Sequence, residues 1–115
     1  MAAVTIYHNP RCSKSRATLA LLEERKVDLH IVEYLKTPLD TKTLEALLEK
    51  LGLEPRELLR KGESVYKELG LAKVDDRDQL IEAMVKNPIL IERPIVVRAG
   101  EARIGRPPER VIEIL

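Results

Sequence analysis

Apolar positions fall into short consecutive runs near the two ends of the chain and into helix-spaced sets between them. Val4-Thr5-Ile6-Tyr7-His8 is a compact run of strand formers, and it predicts a first strand. Leu19 and Leu22 mark a buried stripe that Val27 closes, so residues 13–25 read as a helix. His30-Ile31-Val32-Glu33-Tyr34 predicts a second strand, and the resulting strand-helix-strand unit should be parallel and right-handed. Thr37-Pro38-Leu39-Asp40 then breaks the pattern. Asp40 or Thr41 suits the N-cap of a helix carrying Leu44, Leu47, Leu48 and Leu51, which Gly52 should end. Glu54 to Gly70 reads as one or two short helices around Lys61-Gly62, and Asp76 caps another that bears Leu80, Ile81, Met84 and Val85 before Asn87-Pro88. Pro94-Ile95-Val96-Val97-Arg98, the turn Ala99-Gly100 and Glu101-Ala102-Arg103-Ile104 predict a hairpin. Pro107-Pro108 should start a last helix ending in Val111, Ile112 and Leu115. The order βαβ, helices, ββα predicts an α/β fold, a four-stranded mixed sheet with helices on its faces.

Composition sets limits on this picture. A length of 115 residues fits one domain, residues 1–115, with a helical insertion over about 40–87. Hydrophobic residues form 44% of the chain, and 20 basic side chains face 19 acidic ones, so neither disorder nor bulk attraction to nucleic acid or an acidic membrane is expected. Three Tyr are the only aromatic residues, too few for a base-stacking surface, and no window approaches the ~20 apolar residues of a membrane span. One Cys excludes an internal disulfide, and Met1-Ala2-Ala3 leads into strand-like sequence without a targeting pattern. A cytoplasmic protein is expected. One Cys and two separated His supply no ligand set, so no bound metal is expected either.

The single cysteine carries the candidate chemistry. Cys12 sits between the first strand and the first turn of the following helix, where unpaired backbone N–H groups and the positive end of the helix dipole favour a thiolate. The same N–H groups suit a bound oxyanion, so nucleophile and anion site could coincide. The bland alternative is a small buried hydrophobe.

Several separated motifs point further. Tyr7-His8-Asn9-Pro10-Arg11-Cys12-Ser13-Lys14-Ser15-Arg16, Tyr34-Leu35-Lys36-Thr37-Pro38, Leu58-Leu59-Arg60, Tyr66-Lys67-Glu68-Leu69-Gly70, the run from Pro88 to Val97, and Gly105-Arg106-Pro107 occur in this order. Together they resemble the glutaredoxin-coupled arsenate reductase family, whose fold is thioredoxin-like. The resemblance implies that Cys12 is the nucleophile and that Arg60, Arg93 and Arg106 bind the anion, a role suited to planar multidentate donors. It implies that His8 lowers the thiol pKa as a nearby imidazolium, that Ser15 hydrogen-bonds the thiolate, and that Pro94 follows a cis peptide beside the cysteine. Reduced glutathione would be the co-substrate and glutaredoxin a transient partner, with arsenate as substrate and no bound cofactor.

Each position also has a plain reading: the arginines as solvated surface residues, His8 as a strand end, Ser15 as a first-turn Ser, and Arg103 as a rival for Arg106. Ser13-Lys14 departs from the Gly-Thr pair associated with well-established arsenate reductases. Lys14 could strengthen anion binding, crowd the approach of glutathione, or point into solvent. Two other activities share the superfamily. A transcription regulator that binds RNA polymerase would need Cys in place of Ser15 for its disulfide switch, whereas Cys12-Ser13-Lys14-Ser15 also suits a monothiol glutaredoxin-like oxidoreductase.

Overall fold

A computed structural model describes residues 3–115; Met1 and Ala2 of the N-terminal segment read above lie outside them. The elements are β1 (Val4–Tyr7), α1 (Ser13–Glu24), β2 (Leu29–Val32), α2 (Thr41–Leu51), α3 (Pro55–Leu58), α4 (Ser64–Glu68), α5 (Arg77–Lys86), β3 (Ile95–Arg98) and β4 (Glu101–Ile104). Short 3-10 turns lie at Leu71–Lys73 and Pro88–Leu90, and a 3-10 helix spans Pro108–Ile114. The chain divides into two compact units, one from the N-terminal segment to Thr37 together with Arg93–Leu115, the other Pro38–Glu92.

The first unit holds the sheet, ordered β2-β1-β3-β4. β1 runs parallel to β2 and antiparallel to β3, and β3 is antiparallel to β4. This is the mixed, thioredoxin-like arrangement that the βαβ and ββα halves predict. Ile6 pairs with Ile31 on one side and Val96 on the other, and α1 packs against the C-terminal 3-10 helix. Their common core is Val4, Ile6, Leu22, Val96, Val111 and Ile114. Each such side chain contributes about 1.5–3 kcal/mol on full burial.

Two boundaries differ from the sequence reading. The second strand stops at Val32, because Glu33 O accepts from both Lys36 N at 2.9 Å and Thr37 N at 3.0 Å and turns the chain. Ile31 lies on this edge strand and is 48% exposed. The final helix is 3-10, not α. Val111 and Ile114 are its buried residues, while Ile112 is exposed. A three-residue apolar spacing matches the 3.0-residue period of that helix and places both side chains on one row.

The second unit is helical. Asp40 Oδ1 accepts from Thr43 N at 2.7 Å to cap α2, and Gly52 closes it in the left-handed region at φ 70°. Leu44, Leu47 and Leu48 are buried on α2, and Leu80, Ile81 and Met84 on α5, which packs against it. α3 and α4 have four and five residues, too short to persist alone. Arg56 ties them together: its guanidinium donates to Tyr66 Oη at 2.9 Å, to Leu71 O at 3.2 Å and to Val74 O. A one-residue bridge joins Leu59 to Ile91, with Arg60 N donating to Leu90 O at 2.7 Å and Glu92 N to Leu58 O at 2.9 Å. Among the described residues, no helix is long and apolar enough to cross a membrane.

Candidate active site

The loop after β1 is held by its own short polar side chain. Asn9 Oδ1 accepts from Arg11 N at 3.0 Å, and Asn9 O accepts from Cys12 N at 3.0 Å, which places Cys12 at the N-cap of α1 with extended φ −94° and ψ 124°. Cys12 O then accepts from Arg16 N at 3.0 Å as α1 begins. The thiol is free and 9% exposed, and it makes no capping hydrogen bond. Cys12 therefore occupies the N-cap position of a helix whose first N–H groups lack intrahelical acceptors. Ser13 and Lys14 are both exposed.

His8 and Ser15 meet each other. His8 Nδ1 lies 2.6 Å from Ser15 Oγ, and Ser15 Oγ also accepts from Asn9 N at 3.0 Å. Ser15 is wholly buried and His8 nearly so. Burial lowers the His8 pKa below its ordinary value, with nearby Arg16 adding to the effect and Glu33 and Glu23 opposing it. That direction favours the neutral ring, whereas the resemblance implied an imidazolium. The pair instead fastens the strand end and Asn9 to α1, fixing the loop from which Cys12 projects. Ser15 at the fourth position of Cys12-Ser13-Lys14-Ser15 offers no sulfur for a switch disulfide.

A second set of residues comes from the start of β3 and the end of β4. Arg93-Pro94 is a cis peptide, and so is Arg106-Pro107, which the sequence reading missed. Arg93 is half-buried, and its Nε and Nη1 are fully buried with no hydrogen-bond partner among the described residues. Arg106 Nη1 donates to Arg93 O at 3.3 Å. Arg103, its rival in the sequence, is engaged elsewhere: it pairs with Glu113 at 2.8 Å and donates to Ala102 O at 2.8 Å. Gly105 N donates to Pro94 O at 2.9 Å. A Cβ at Gly105 would lie 2.6 Å from Thr18 Oγ1 and 2.9 Å from Pro94 Cγ, so only glycine lets β4 come this close to α1. Thr18 Oγ1 in turn donates to Lys14 O at 2.8 Å, in the first turn of α1. The Gly-Arg-Pro motif signalled this position, but only the structure supplies its packing reason.

Arg60 belongs to the helical unit. Its Nη1 lies 3.1 Å from Glu63 Oε2 and its Nε 3.8 Å from Glu92 Oε1, with the Arg60 side chain 22% exposed. Neither carboxylate stood out in the sequence, because neither falls on a periodic face.

A free thiol at a helix N-cap, in one unit with a guanidinium whose buried N–H groups lack acceptors among the described residues, is an arrangement that suits a multiply charged oxyanion. The chain is similar to several known proteins. The uncharacterized protein YfgD of Escherichia coli strain K12 is 59% identical over 114 residues, covering 97% of this chain and 96% of its own. An arsenate reductase of Neisseria meningitidis is 47% identical over 117 residues, covering all of both chains. The solved arsenate reductase from Vibrio cholerae superposes with a TM-score of 0.96 at 51% identity, covering 99% of this chain and 98% of its own. The ArsC family profile matches residues 7–114; on this match and these relatives, the chain belongs to the ArsC family.

Proposed function

We propose that this protein reduces arsenate to arsenite through Cys12, with electrons drawn from glutathione and glutaredoxin. The observation that carries the reading is Arg93, whose Nε and Nη1 are buried and lack acceptors in the unit that holds the Cys12 helix N-cap. Buried donors of a permanent cation are costly unless an acceptor meets them, and an oxyanion is such an acceptor. The names of the relatives support arsenate as that oxyanion. Arg106, against the backbone of Arg93, is assigned to the same anion; Arg60 receives an anion-binding role from the resemblance alone.

The chemistry balances with one protein sulfur. The Cys12 thiolate attacks arsenic, forming an S–As bond as a protonated oxygen leaves as water. A glutathione thiol replaces a second oxygen, again releasing water. The glutaredoxin thiol then attacks the glutathione sulfur, forming a disulfide and leaving an electron pair on arsenic, which falls from the +5 to the +3 state. Water cleaves the remaining S–As bond, freeing arsenite and regenerating Cys12. Such a cycle belongs in a thiol-reducing compartment, in keeping with a cytoplasmic location.

The test is NADPH consumption with arsenate, glutathione, glutaredoxin and glutathione reductase, run beside Cys12→Ser. Turnover in the parent and none in the variant is expected. Absence of turnover in the parent, with Cys12 still reactive toward alkylating agents, would remove arsenate as the substrate.

A further inference from the structure

A pocket of about 300 Å³ opens beside the Cys12 loop, lined by Asn9, Pro10 and Arg11 on one side and by Glu33, Leu35 and Lys36 on the other. Its volume is at the lower end of the range for small-molecule sites. One wall is the turn that positions the nucleophile: Arg11 precedes Cys12 directly, so their Cα atoms are about 3.8 Å apart. The wall is stiff, since Asn9 Oδ1 holds Arg11 N at 3.0 Å and Arg16 Nη1 donates to Pro10 O at 2.9 Å. The opposite wall is the turn after β2 closed on Glu33 O.

The lining has a specific charge pattern. Arg11 and Lys36 are exposed cations, Glu33 is a half-exposed anion, and Leu35 and Pro10 add apolar surface. Lys36 Nζ rests 3.4 Å from Glu33 Oε1. A ligand with two carboxylates and one ammonium would meet Arg11 and Lys36 with the former and Glu33 with the latter, exchanging this ion pair for two outward ones. Simple alcohol thiols lack both kinds of group.

We propose that this pocket is the subsite for the reducing co-substrate, and that it selects a small peptidic thiol of the glutathione class by its carboxylates and ammonium. The proposal rests on the reading of Cys12 as a thiol-regenerated nucleophile. It adds to that reading the residues that choose the thiol.

Thiol–disulfide exchange tests the pocket without arsenate. The Cys12 thiolate attacks one sulfur of a disulfide, the S–S bond breaks, a mixed disulfide forms on Cys12, and a thiolate leaves. Second-order rate constants for this step would be measured by mass spectrometry on the reduced full-length protein. The two oxidants would be glutathione disulfide and uncharged bis(2-hydroxyethyl) disulfide. Their ratio cancels any change in the reactivity of Cys12 itself. In Arg11→Glu/Lys36→Glu the ratio should fall about five- to tenfold, the effect of exchanging exposed attractions for repulsions. Lys36→Arg should restore most of the loss in a Lys36→Glu comparison, and added salt should lower the parent ratio toward that of the double variant. An unchanged ratio in a folded double variant would overturn the proposal. So would an unchanged ratio accompanied by slower transfer to glutaredoxin alone, which would assign the surface to the protein partner. Failure of arsenate turnover with a reduced ratio would reject the substrate while upholding the pocket.

Discussion

Replacing Arg93 by Met should make the ligand-free protein more stable and the arsenate-bound protein less so. Met keeps a long unbranched stem but has no donors. Arg93 has two buried N–H-bearing atoms without acceptors, and each unmade donor costs about 1–3 kcal/mol. Allowing for lost packing, a net gain of about 2 kcal/mol is expected, within the range seen when buried charged groups give way to apolar ones. For 115 residues, an unfolding entropy of about 2.1 cal/mol/K per residue amounts to roughly 0.24 kcal/mol/K, so the gain should raise Tm by about 8 °C. Arsenate at a hundredfold excess over its Kd should stabilise the parent by about 2.7 kcal/mol, or about 11 °C, through mass action. The variant should lose nearly all of that shift. Melting would be followed by calorimetry in a Cys12→Ser background, which prevents chemistry during the scan. The order of the two Tm values should therefore reverse when arsenate is added. A variant that melts below the parent without arsenate, or shows the same arsenate shift, would refute the argument.

Other substitutions test separate links. Gly105→Ala forces a Cβ to within 2.6 Å of Thr18 Oγ1 and 2.9 Å of Pro94 Cγ, and overpacking of this kind costs about 1–3 kcal/mol; Tm should drop by about 8 °C. Gly62→Ala, with nothing within 4 Å of the added atom, should leave Tm unchanged or slightly raised, and equal behaviour of the two variants would discount the packing. Burial depresses the folded-state pKa of His8 below its ordinary 6.5. Its contribution to stability is therefore complete above that value and is lost as pH falls through the lowered one. His8→Asn should flatten the acid side of the stability profile measured by urea unfolding, and an unaltered slope between about pH 5 and pH 7 would count against the neutral ring. Glu63→Gln frees Arg60 from a carboxylate 3.1 Å away, so KM for arsenate should fall about two- to fivefold, the equivalent of one modest ion pair. An unchanged KM would take Arg60 out of the anion site.

Local chemistry made most of the architecture legible. Asp40, Gly52, Asp76 and the Ala99-Gly100 turn punctuate the chain where the elements begin and end, because caps and turns depend on residues within a few positions of each other. The C-terminal helix type was not legible, since Val111, Ile112 and Leu115 suggest an apolar α-helical face whereas burial selects Val111 and Ile114. The site divides along the same line. The place of Cys12 between strand and helix could be read from local sequence, but the pairing of His8 with Ser15, the carboxylates on Arg60 and the contact of Gly105 with Thr18 join residues 3 to 87 positions apart. Periodicity carries no information about such pairings. Burial also lowers the pKa of His8, and solvent access is a property of the fold, not of the motif.

The Arg56 contacts have a consequence for how the helical unit can change over generations. One guanidinium spans acceptors on Tyr66, Leu71 and Val74, so a single codon adds polar ties across this stretch to the packing of its buried Leu58, Tyr66 and Leu71. Lys61, Gly62, Lys67 and Glu68 are exposed and can drift in charge and size with little penalty. Position 56 cannot, because lysine offers a point charge where a fork must reach several oxygens at once.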